Sequence, residues 1–140
     1  MDIDLTRFFE AQSRDYNIAL SEITNGKKNS HWMWYIFPQI LGLGFSETAK
    51  FYAIKDINEA QYYLNDKILG KRIVEITKVL IDLKENNANK IFGYPDDLKL
   101  KSSMTLFYIT SNNNELFKSI IDKYFDGDFC ENTIQLLKIN

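Results

Sequence analysis

Histidine, cysteine and proline are scarce in this chain of 140 residues, at one, one and two copies. Each scarcity excludes a chemistry. Cys130 has no partner for a disulfide within the chain, and with His31 as the only imidazole the standard zinc sites are nearly excluded. No metal or other cofactor is expected, and a reducing, cytoplasmic setting is. Neither HExxH nor GxSxG occurs, and GLGFSE has neither the lysine nor the spacing of a phosphate loop. FDGDF lacks the length and closing glutamate of a calcium loop. No apolar run is long enough to suggest a membrane span, and the opening MDIDLTRFFEAQSRD lacks the apolar stretch of a leader, so neither is expected. An excess of positive charge is missing too. With 17 basic and 19 acidic residues the formal charge is -2, which leaves no strong nucleic-acid signal.

Core material, by contrast, is plentiful. Hydrophobic residues make up 45% and aromatics 14%, enough for one packed domain spanning 1–140. Leu5, Phe8, Phe9, Gln12, Tyr16, Ala19, Leu20 and Ile23 recur at helical spacing, with Asp2 or Asp4 to cap the start and Gly26 to stop the end. Ser30 is placed to cap a short helix carrying His31 to Phe37, and Ser46 to cap the next. Asp56 with Glu59 fits a capping box. A long helix is expected from about Lys67 to Glu85. ENNANK reads as loop or frayed end, and Asp96 or Asp97 opens a helix toward Ile109. TLFYIT is the best strand candidate but also fits that helix's end. Two further helices carry Leu116 to Tyr124 and Ile134 to Leu137. The expected fold is all-α, a single irregular bundle of six to eight helices.

SHWMWYIFPQ, residues 30 to 39, gathers the only histidine and both tryptophans. The two tryptophans, Tyr35 and Phe37 are costly to expose, so Trp32, Tyr35 and Phe37 are expected to plug the core. On a short helix His31 and Trp34 share a face, where Trp34 would stack a planar group and His31 would move protons near neutral pH. Lys28 precedes the helix and would hold negative charge. In DDLKLKSSMTLF, Asp97 and Lys101 stand four apart as a helical ion pair, and Lys99 with Ser103 would clasp a phosphate. Ser102 and Ser103 have a plainer alternative, bonding to the preceding turn. Arg72 would add a planar anion grip if it met Lys28 or Lys99.

The stretches LTRFFEAQ, SHWMWYIFPQILGLG, EAQYYL, ILGKR and IFGYPDDLKLKSSMTLF resemble, in order and from Leu5 to Leu137, a mainly bacterial family of unknown function, family 1810, sometimes labelled calpastatin-like. The resemblance implies an all-helical single domain and carries no settled activity. It also implies polar signature positions: Gln12 and Tyr16 on the first helix, Lys28, Ser30, His31, Trp32, Trp34 and Gln39 around the aromatic corner, Arg72 on the long helix, and Asp97, Lys99, Ser102, Ser103 and Thr105 after Pro95. Asn65 and Asp66 stand where the family often has His-Pro, which leaves His31 as the only imidazole available.

Three readings compete. The first is a protein that binds, and hydrolyses or transfers, a small anionic nucleotide-like or ADP-ribose-like ligand, with His31 catalytic and Lys28, Ser30, Trp34, Gln39, Arg72, Lys99 and Ser103 holding the ligand. The second is a non-enzymatic adaptor whose exposed aromatics meet a protein partner or a single-stranded nucleic acid. In the third the polar signature forms one satisfied internal network.

Overall fold

The computed structural model describes residues 3–139, and among them the chain is all-α, a single irregular bundle. Nine helices follow in order: α1 (Thr6–Thr24), α2 (Met33–Ile36), α3 (Glu47–Tyr52), α4 (Ile57–Asn65), α5 (Leu69–Asp82), α6 (Ala88–Phe92), α7 (Asp96–Thr110), α8 (Glu115–Phe125) and α9 (Glu131–Ile139). No strand forms among the described residues; one parallel bridge joins Ile40 to Ile54, tying the glycine-rich segment to the entry of α4. No helix described is long and apolar enough to cross a membrane.

Local signals set most boundaries. Asp4 accepts the Thr6 N–H at 2.8 Å, while Asp2 lies outside the described residues. Gly26, at φ +78°, ends α1 in the left-handed region where glycine is favoured. Ser46 caps α3 by accepting the Ala49 N–H at 3.1 Å. Asp56 accepts the Glu59 N–H at 2.9 Å, as a capping box requires, but the Glu59 carboxylate returns to the N–H of Lys55 instead of Asp56. TLFYIT is helical and completes α7.

Three expectations need correction. Ser30 caps nothing: α2 begins only at Met33, and the Ser30 hydroxyl turns back to donate to Glu22 at 2.6 Å. ENNANK, expected as loop or frayed end, is non-helical through Asn87, but its last three residues open a short extra helix, α6. The Asn87 side chain accepts the Asn89 N–H at 2.9 Å, and Ala88, Ile91 and Phe92 bury one face of the short α6. The predicted long helix is also shorter at both ends, running Leu69–Asp82, with the Asp66 carboxylate accepting the Ile68 and Leu69 N–H groups ahead of it.

Helix α7 is the axis of the bundle, packing on α4, α6, α8 and α9. Leu100, Met104, Leu106 and Phe107 are all fully buried on it, so its apolar surface wraps around instead of forming one stripe. Three buried hydroxyls on this helix bond to its own backbone: Ser102 donates to the Leu98 carbonyl, Thr105 to Lys101 and Thr110 to Leu106. An aromatic file runs through the core from Phe8 to Tyr63 at 5.1 Å, Tyr63 to Phe107 at 5.3 Å and Phe107 to Phe117 at 5.9 Å. At the start of α5, a Cβ on Gly70 would stand 2.0 Å from the Leu64 carbonyl oxygen, so only glycine fits there.

Candidate functional site

The aromatic corner is organised by a residue that sequence reasoning passed over. Glu22, in the last turns of α1, accepts four hydrogen bonds: from the N–H groups of Asn29 and Ser30, from the Ser30 hydroxyl, and from the Trp32 indole. Burial by itself would raise the Glu22 carboxyl. The donors from Ser30, Asn29 and Trp32 outweigh it and hold the group down at about 2. With its polar edge satisfied, the Trp32 ring goes fully into the core beside Phe37 and Phe92. Tyr35 and Phe37 are buried as well, so these three are the expected plug. Burial, followed by a hydrogen bond to Asp15, pushes the Tyr35 hydroxyl up to about 12.

Trp34 differs: it is only half-buried. The Lys99 ammonium lies 3.7 Å from the centroid of its ring, a close cation–π contact. Lys99 also meets Asp96 at 3.2 Å, and the other oxygen of Asp96 takes Lys28 at 2.8 Å. One carboxylate thus serves two ammonium groups. Burial works to raise the Asp96 carboxyl, but the two lysines prevail and lower it. Lys28 itself is nearly enclosed, with its ammonium 5.2 Å from the Trp32 ring.

Trp34, Gln39, Lys99, Lys101 and Ser102 line a groove of about 430 Å³, together with Leu43, Pro95, Leu98 and the start of α9 at Cys130, Glu131 and Asn132. The loop after α2 contributes Gln39, and the first two turns of α7 contribute the lysines. Lys101 pairs with Asp128 at 3.2 Å, not with Asp97 as the spacing suggested; Asp97 accepts instead from the Asn89 amide. Asp128 is 79% exposed, so that pair is loosely held. Among the described residues no group of three or more metal-ligating side chains stands together.

The remaining expected site residues lie elsewhere. His31 is exposed and outside the groove lining; its carbonyl accepts a long bond from the Tyr35 hydroxyl at 3.3 Å. Ser30 is engaged by Glu22. Arg72 does not meet Lys28 or Lys99. Its guanidinium lies 5.1 Å from the Tyr16 ring and donates weakly to Gln12 at 3.4 Å. Gln12 is the centre of a satisfied buried network, donating to the Tyr35 carbonyl and the Tyr63 hydroxyl. Ser103 is fully buried and its hydroxyl has no partner among the described residues, so it forms no clasp with Lys99. The structure therefore brings Trp34, Gln39 and Lys99 into one groove, links Lys28 to it only through Asp96, and leaves Ser30, His31, Arg72 and Ser103 apart. Asp96, the residue joining the two lysines, was legible in the sequence only as a helix start.

A family model described as a protein of unknown function, DUF1810, matches residues 2–137. Among solved structures, the chain is similar to the conserved hypothetical protein Rv1873 from Mycobacterium tuberculosis, solved by crystallography at 1.38 Å. The two are 42% identical, the similarity covers 98% of each chain, and the TM-score is 0.95. No curated protein matches significantly.

Proposed function

The chain belongs to the DUF1810 family, whose description names no activity, and from the groove beside Trp34 we propose that it binds a small anionic molecule with a planar, nucleotide-like ring. The observation that carries this reading is Lys99 poised over the Trp34 ring at 3.7 Å while sharing Asp96 with Lys28. An anion entering the groove draws the Lys99 ammonium to itself and frees the indole face for stacking, and Asp96 keeps Lys28 as its partner. Lys101 adds a second cation at the same mouth, and the Gln39 amide offers a donor and an acceptor to a ring edge. The volume of about 430 Å³ suits a mononucleotide-sized ligand. The reading is of binding alone. His31, the imidazole expected to move protons, is exposed and outside the lining, so no step is assigned to it.

The test is a thermal-shift and calorimetric comparison of AMP and ADP with adenosine. A ligand at about 100 times its Kd adds about 2.7 kcal/mol, which is several degrees for a domain of this size. The nucleotides should stabilise the protein and quench Trp34, adenosine should do neither, and Lys99→Met should abolish both effects. Equal stabilisation by adenosine, or an unchanged response in Lys99→Met, overturns the reading.

A further inference from the structure

A second and larger groove, about 780 Å³, shares no lining residue with the one beside Trp34. It lies where the start of α1 faces α3 and α4. Three large apolar side chains line it uncovered: Phe51 is 58% exposed, Tyr62 54% and Leu41 38%. Exposed rings on a concave wall are the mark of a surface shaped for an apolar group. The Phe51 ring is held in place edge-on to Tyr52 at 4.8 Å.

The polar groups on the same wall are unequal in what they have left to offer. Asp4 accepts the Thr6 N–H, and Asp56 the Glu59 N–H. Glu59 takes the Arg7 guanidinium at 2.7 Å and the Lys55 N–H at 2.9 Å. Lys50 and Lys55 are exposed, and among the described residues neither ammonium has an ion-pair partner. The cations at the rim are therefore available, whereas each carboxylate is engaged by at least one donor. Those three carboxylates still repel a dianion, which favours a single negative charge on the occupant.

We propose that this groove is a binding site for a small aromatic carboxylate, its ring packed on Phe51 and Tyr62 and its carboxylate paired with Lys50 and Lys55. The site is independent of the Trp34 groove, and either can fail without the other.

The test is a titration of the full chain with 1-naphthylacetate, followed in two-dimensional amide spectra, with the neutral 1-naphthylacetamide as control. Saturable shifts are expected at the amides of Phe51, Lys55 and Tyr62, with the neutral amide binding about tenfold more weakly or worse. The double variant Lys50→Gln, Lys55→Gln and the single variant Phe51→Ser should each lose about tenfold in affinity. All three side chains are exposed, so folding is preserved in the variants. Shifts that never saturate, equal affinity for acid and amide, or perturbations centred on Trp34 overturn the proposal.

Discussion

The Trp32 indole N–H donates to the Glu22 carboxylate at 2.9 Å, across the turn that joins α1 to α2. The same carboxylate holds Asn29 and Ser30, so one side chain sets the path of the chain into the aromatic corner. Glu22→Ala leaves these donors without an acceptor and should cost about 3 kcal/mol. The pH dependence has a definite sign. Glu22 is depressed from its usual 4.5 to about 2, so its contribution is complete above 4.5 and is lost as pH falls toward 2. Urea unfolding across that window should show the native protein losing stability faster than Glu22→Gln, and parallel curves for the two would contradict the assignment.

Ser103 supplies a test of the opposite kind. Its hydroxyl is fully buried on α7 with no partner among the described residues. Removing an unpaired polar group from an apolar setting is neutral or favourable, so Ser103→Ala should leave stability unchanged or raise it by up to about 1 kcal/mol. A loss larger than about 1 kcal/mol in chemical denaturation would mean that the hydroxyl has a partner after all.

Lys123 closes the end of α5 from α8. Its ammonium donates to the carbonyls of Leu80 at 3.0 Å, Ile81 at 2.7 Å and also Leu83, groups that a helix end leaves without donors. Burial lowers the pKa of this lysine. Lys123→Met should cost about 2 kcal/mol, whereas Lys118→Met, which breaks an exposed pair with Asp122, should leave stability nearly unchanged. Comparable losses in the two variants would remove the special role of Lys123.

The parts of this fold that could be read from the sequence are those decided within a few residues. Ser46, Asp56 and Gly26 act on N–H groups or φ angles close by in the chain, and the plug formed by Trp32, Tyr35 and Phe37 follows from ring size alone. What escaped is decided by the approach of distant segments. Ser30 looks like a cap until α1 brings Glu22 back across the turn, and Asp97 looks like the partner of Lys101 until the α8–α9 connection delivers Asp128. The site suffered most from this. Lys28 and Lys99 are 71 positions apart by their numbers, and only the packed bundle makes them neighbours through Asp96.

The central position of α7 bears on how the Trp34 groove behaves over time. A helix packed on four others exposes its amides to exchange with solvent only when the bundle as a whole opens, so α7 should be the slowest-exchanging element of the chain. Lys99, Lys101 and Ser102 are carried on that helix. Their backbone should therefore open only rarely, while Leu43 and Gly44 across the groove belong to a loop. One bank is helix and the other is loop. Ligands that differ in girth would then be accommodated by the loop side, with the charged side acting as the constant reference against which each is aligned.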